Sequence, residues 1–244
     1  MTVYYNENNE YAADWLENLI KARCIADGIV DRRSICDVRP ADLKGFDQHH
    51  FFAGIGGWSR ALRLIEWPDN RPIWTGSNPC QPWSAAGKQK GFADSRHLWP
   101  EWFRLICKFK PSSIVGEQVE GASGWLDAIA ADLEKENYAF GAAVLPASCV
   151  GAKHLRHRWW FVAHAEGQLL SEPWKARTWR DGPYDNGVPF TFWNDPDESY
   201  IEPLVDWQAH GIPKPVAQLR ALGNAIVPQL AAEFIAAAFE THGT

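Results

Sequence analysis

A chain of 244 residues suffices for one full-sized domain with a small appendage, and its 46% hydrophobic fraction is that of an ordinary globular protein. The net charge of −6 argues against a broadly basic nucleic-acid-binding surface and leaves room for a locally basic cleft. Five cysteines without a Cys-x-x-Cys pair, and eight histidines without metal spacing, argue against a disulfide framework and a bound metal, and no run of about eighteen apolar residues offers a membrane span.

The opening Met1-Thr2-Val3-Tyr4-Tyr5-Asn6 lacks the basic and apolar regions of a secretory signal, so a cytoplasmic location is expected. Thr2 to Tyr5 reads as a short strand, and Glu10 to Arg23 carries Tyr11, Trp15, Leu16, Leu19 and Ile20 at helical spacing. A second strand is expected at Ser34 to Val38 and a third at His50 to Ala53, the latter running into Gly54-Ile55-Gly56-Gly57. Helix is expected from Trp58 to Glu66, ended by Pro68, then a strand from Pro72 to Gly76 and a polar loop to about Arg96. Leu98 to Phe109 reads as helix, Ser113 to Gly116 as buried strand, Gly124 to Lys135 as helix, and Tyr138 to Leu145 and Trp159 to Ala163 as strands. From about Glu166 to Pro215 the chain turns rich in Pro, Trp, Asp and Gly with little periodicity, and helix returns from Ala225 to Phe239. Alternating strands and helices imply an open α/β sheet with helices on both faces. The expected units are 1–165 for the main domain, 166–215 for a small irregular region, and 216–244 for a helix that returns to the main domain.

Five short constellations carry chemistry. Phe52 to Gly57 is a glycine-rich strand-to-helix turn, where a cofactor can approach the backbone closely. Gly76-Ser77-Asn78-Pro79-Cys80-Gln81-Pro82-Trp83-Ser84 presents a thiol in a loop at a strand end, the place for a nucleophile. Gly116-Glu117-Gln118-Val119 puts a carboxyl group at the end of the next strand. Arg156-His157-Arg158 offers paired guanidinium groups before a strand, and Asn224, in Gly223 to Pro228, is placed to cap the last helix. Taken singly, each has an ordinary structural use: a packing turn, a small buried thiol, a strand-end carboxylate, a surface turn, a cap.

Taken together they resemble the DNA cytosine carbon-5 methyltransferase family, over most of residues 1–164 and 217–240. The stretch Gly87 to Arg96 is similar to that family's mobile active-site loop, and Asn6 to Ala12 to its acidic ribose-binding motif. The resemblance implies a Rossmann-like, S-adenosylmethionine-dependent methyltransferase sheet with a small target-recognition region. It implies duplex DNA as partner and a flipped-out cytosine as substrate; a monomer on DNA is the default expectation. Cys80 is then the nucleophile, Glu117 the proton donor at ring nitrogen 3, Arg158 the holder of the base carbonyl, and Arg156 a brace for Glu117 or a phosphate. Phe52, Gly54, Gly56, Gly57 and Glu7 are expected to line the cofactor, with Ile35, Pro79 and Asn224 as weaker contacts. Gln81, Ser84, Lys88, Lys90 and Arg96 are expected to meet the DNA. The same motifs also serve relatives that methylate cytosine in transfer RNA, and a catalytically weak nucleic-acid-binding relative is the other reading.

The motif order departs from the family's. The ribose-like Glu7 and the adenine-like Arg33-Ser34-Ile35 precede the glycine turn instead of following it. The glycine-turn strand is therefore expected to have moved between the third and fourth strands of the sheet. The helix after Gly57 must then either change sheet face or break the right-handed crossover rule. Gln118 replaces an asparagine, His154 a glutamine, and Ser34 an aspartate. The region 166–215 is short for target recognition, and each good base contact contributes about 1–3 kcal/mol of discrimination, so a short or relaxed recognition sequence is expected. This compactness points to a phage-type or solitary enzyme.

Overall fold

The computed structural model describes residues 3–79, 98–120, 123–152, 154–165 and 225–240. Seven strands form one sheet: β1 (Val3–Asn6), β2 (Gly28–Asp31), β3 (Gln48–Phe51), β4 (Ile73–Gly76), β5 (Ser113–Val119), β6 (Tyr138–Leu145) and β7 (Arg158–Ala165). Their spatial order is β2-β1-β3-β4-β5-β7-β6. The first five are mutually parallel, and β7 runs antiparallel to both β5 and β6. The helices among the described residues are α1 (Glu10–Lys21), α2 (Gly57–Leu64), α3 (Trp99–Phe109), α4 (Ser123–Lys135) and α5 (Pro228–Glu240).

Local chemistry accounts for the element ends. The Asn9 side chain accepts from Ala12 N at 3.1 Å and caps α1, with Glu10 at its positive end and Lys21 in its last turn. Pro100 sits in the first turn of α3, where no donor is missed, and Lys110 closes that helix in the left-handed region at φ 54°. The last helix begins at Pro228, three residues later than the expected Ala225.

The second strand lies earlier than expected. Ser34 to Val38 is not extended: Ser34 Oγ accepts from Cys36 N and opens a short 3-10 turn at Ile35–Asp37. The strand is Gly28–Asp31 instead. Its glycine is a packing requirement, since a Cβ there would stand 2.1 Å from Val3 O on the neighbouring strand. A Gly and an Asp bracketing two β-branched residues make a weak strand pattern.

The sheet's two faces hold separate cores. Tyr4, Phe51, Trp74, Ile114 and Phe161 bury one face against α3 and α4. On the other, Val3 and Tyr5 pack with Leu16 of α1, and Ile73, Val115 and Trp160 pack with α2 and α5. Tyr5 Oη meets Ser59 Oγ at 2.9 Å, and Ser59 Oγ accepts from Ala26 N at 3.1 Å, which fastens α2 on the α1 side.

That placement answers the crossover question. From β1 the chain passes through α1 outward to β2; from β3 it passes through α2 the opposite way, to β4. Two connections in opposite directions on one face have opposite hands. The α3 connection, from β4 to β5, runs in the same direction as that of α2 on the other face. With α1 and α3 in the usual right-handed sense, the β3–α2–β4 crossover is left-handed, a rarity among parallel connections. The return from β2 to β3 crosses only β1.

Candidate active site

The register of the sheet aligns the motifs. Asp31, Asn6, Phe51, Gly76 and Gly116 are successive partners in one row across five parallel strands. Each functional segment leaves the sheet one residue past that row: Glu7 from β1, Phe52 from β3, Ser77 from β4, with Glu117 at the same level on β5. Ligands of open α/β sheets collect beyond the carboxyl ends of such strands.

The glycine turn and the acidic motif meet there. Gly54 N donates to Glu7 Oε2 at 2.8 Å, and Asn9 N donates to Oε1 at 2.9 Å. Burial pushes the Glu7 carboxyl above its ordinary range, and these two amide donors work against that push. Each carboxylate oxygen keeps acceptor capacity beyond its one amide. Phe52, Gly54 and Gly56 all have positive φ, at 51°, 55° and 82°. A Cβ at Gly54 would meet nothing within 4 Å, so the turn is open there. Gly56 and Gly57 have a different use: a Cβ would meet Ile25 Cδ1 at 3.2 Å and Ile226 Cγ1 at 2.6 Å, respectively. Phe52 packs edge-on to Trp102 at 6.3 Å. Ile35 is 2% exposed and belongs to the core under this edge. An open glycine cradle beside a half-buried carboxylate with spare acceptor capacity fits a ribose-bearing cofactor.

Glu117 is 6% exposed and paired with Arg158, whose Nε lies 2.9 Å from Oε1. Burial is the largest influence on its carboxyl and raises it above the ordinary range; Arg158, Arg156 and the Ser77 hydroxyl pull in the other direction. A carboxyl raised by burial and restrained by these partners is the kind of group that general acid–base chemistry uses. Arg158 Nη1 also donates to His157 O at 2.8 Å. Arg156 adopts a left-handed backbone at φ 38°, and its Nη2 donates to Ala225 O at 2.8 Å, tying the arginine pair to the segment before α5.

The approach to the thiol is held from the next strand. Gln118 Nε2 donates to Asn78 O at 3.4 Å, and Gln118 Oε1 accepts from Val119 N at 2.9 Å. Both polar atoms of the Asn78 amide are buried and have no hydrogen-bond partner among the described residues, directly before the half-buried Pro79. Cys80, Gln81, Ser84, Lys88, Lys90, Arg96 and Asn224 lie outside the described residues. Ser77, Asn78, Trp58 and Gln118 join the site although the sequence reading assigned them no role. Only the strand register, which sets Ser77 beside Glu117, exposes them. Among the described residues no group of three or more His, Cys, Asp or Glu is arranged to hold a metal, and no helix is long and apolar enough to cross a membrane.

The family model for C-5 cytosine-specific DNA methylases matches residues 66–188. The chain is similar to the type II methyltransferase M.AplI of Arthrospira platensis, with 32% identity over 123 residues, covering 46% of this chain and 35% of that protein. It is also similar to the type II methyltransferase M.HgiCII of Herpetosiphon aurantiacus, with 45% identity over 117 residues, covering 32% of this chain and 27% of that one. Among solved structures, a DNMT2 variant of Spodoptera frugiperda superposes with a TM-score of 0.47 and 20% identity, over 71% of this chain and 45% of that one. The match thus spans about a third of the length of these curated relatives.

Proposed function

The chain belongs to the C-5 cytosine-specific DNA methylase family, and from that premise we propose that it methylates carbon-5 of cytosine in duplex DNA, with Cys80 as nucleophile and S-adenosylmethionine as donor. The observation that carries the reading is the 2.8 Å bond from Gly54 N to Glu7 Oε2. It joins two cofactor motifs whose order in the chain is reversed, at the same carboxyl edge of the sheet as Glu117 and the strand that leads to Cys80.

Glu7 and the open face of the Gly54 turn would hold the cofactor's ribose and backbone-proximal part, with Phe52 beside them and Ile35 in the wall below. When bound, the cofactor supplies an electrophilic methyl group. The chain's own residues do the rest. The Cys80 thiolate adds to carbon-6 of a base rotated out of the stack, and electron density moves to carbon-5. Glu117 shares its proton with ring nitrogen 3 as negative charge develops there. Arg158, held on Glu117 through Nε and on His157 O through Nη1, would offer its remaining guanidinium donors to the base carbonyl. Carbon-5 takes the methyl group, leaving S-adenosylhomocysteine; the carbon-5 proton would then pass to water, Glu117 would take back the nitrogen-3 proton, and the carbon–sulfur bond would break to release the Cys80 thiolate. Ser84, Gln81, Lys88, Lys90 and Arg96 would close over the base and phosphates. Residues 166–215 would supply target recognition, and their small number favours a short or relaxed site.

The test uses the purified chain, tritiated S-adenosylmethionine and unmethylated duplex DNA, with Cys80→Ala alongside. Label in 5-methylcytosine, absent with the variant, is the expected result, and mapping the methylated positions should show a short site. Label in transfer RNA and none in duplex DNA would replace the substrate. No label in either would overturn the reading.

A further inference from the structure

Trp58 is the first residue after the glycine turn, and its indole reaches the catalytic carboxyl through one intermediary. Its Nε1–H donates to Ser77 Oγ at 3.0 Å. The ring is 2% exposed and is held by Trp160 in an edge contact at 5.7 Å and 76°. Trp160 is itself the cross-strand partner of Glu117. Gly76 and Gly116 are partners on parallel strands, so Ser77 and Glu117 stand side by side on the same sheet face. This places the Ser77 hydroxyl next to the Glu117 carboxyl, where it acts against burial and pulls the carboxyl back toward its ordinary range.

The donor inventory orders this chain of contacts. An indole N–H only donates, so Ser77 Oγ must accept from it. The hydroxyl has a single proton to give, and Glu117 stands next to it as the acceptor. We propose that Trp58 and Ser77 are positioning residues: Trp58 orients the Ser77 hydroxyl, and Ser77 donates to Glu117, so that the helix carrying the cofactor turn sets the hydrogen bonding of the catalytic acid. Among the described residues, the charged groups facing Glu117 are Arg158 and Arg156, from the start of β7 and the loop before it; the segment after β4 contributes Ser77, and α2 contributes Trp58. Arginines do not titrate in the working range, so the hydroxyl is the adjustable partner. Burial drives Glu117 toward the neutral form, and a donated hydroxyl bond restrains it.

The inference rests on the reading of Glu117 as the acid of base methylation, and its test does not need turnover. The carboxyl carbon of Glu117 is followed by carbon-13 NMR in the full chain, assigned by its loss in Glu117→Gln. Ser77→Ala should move its titration midpoint up by about half a pH unit or more, roughly threefold in the ionisation constant. Trp58→Phe, which keeps the ring and deletes the donor, should move it the same way by less. The double variant should match Ser77→Ala alone, because Trp58 acts through Ser77. Ser77→Thr, which keeps the hydroxyl, should restore the wild-type midpoint. An unshifted midpoint in Trp58→Phe, or full additivity in the double variant, would overturn the proposal. Those outcomes with intact DNA labelling leave the methyltransferase reading standing; expected NMR shifts with no labelling would remove that reading alone.

Discussion

Replacing Arg158 by Met keeps a long side chain and deletes the cation facing Glu117. The Glu117 side chain is 8% exposed and that of Arg158 20%, with Nε and Oε1 at 2.9 Å. Removing one partner of a buried pair leaves an uncompensated charge, at a cost of about 3–5 kcal/mol; the partial exposure of Arg158 places this case near 3 kcal/mol. The cost applies only where Glu117 is ionised. Its folded pKa already stands above the unfolded value because of burial. Stability from this group is therefore fully present below the unfolded value of about 4.3, and is lost as pH rises toward the folded value. Without Arg158 the folded value climbs further. A cost of about 3 kcal/mol corresponds to roughly two pH units at about 1.4 kcal/mol each. Over those units the variant keeps losing stability while the wild type has levelled off. Urea unfolding followed by tryptophan fluorescence, from pH 5 to pH 9, should show a gap between the two proteins that widens with pH. In the background of Glu117→Gln the Arg158→Met gap should not widen. An equal gap at pH 5 and pH 9, or a widening that survives Glu117→Gln, would refute the reasoning.

The glycines of the turn should separate by function. Gly57→Ala places a Cβ 2.6 Å from Ile226 Cγ1 and should lower stability by about 1–3 kcal/mol, with the loss reduced in an Ile226→Ala background, as read by thermal unfolding. Gly54→Ala meets open space, so its stability cost should be limited to the strain of φ 55°, about 1 kcal/mol, while cofactor affinity measured by calorimetry should fall more than it does for Gly57→Ala. Glu7→Gln replaces an oxygen that accepts from Gly54 N or Asn9 N by an amide donor and should weaken S-adenosylmethionine binding by about tenfold or more, the loss of one charge-assisted interaction; affinity unchanged within twofold would remove Glu7 from the cofactor site.

Much of this was legible in the residues. The glycine turn, the Pro79-Cys80 loop, Glu117 and the arginine pair each carry residue types at spacings that local chemistry demands, and most strands and helices announce themselves by period and by caps such as Asn9. The strand at Gly28–Asp31 was not legible, because its glycine answers a neighbour, Val3 O, that a local pattern cannot contain. Nor was the face of α2: its buried residues suit either side of the sheet, and Ser59 bonding to Tyr5 and Ala26 puts it with α1 and gives its crossover the opposite hand to that of α1. The same holds for Ser77 and Trp58. A serine before Asn-Pro-Cys and a tryptophan after a glycine turn acquire a shared role only when parallel register sets β4 beside β5. The sequence alone determined which chemical groups are available and the order in which the chain delivers them. The tertiary structure decided which of them touch, because contacts between Glu7 and Gly54, or Trp58 and Ser77, span 47 and 19 residues and depend on strand order and register.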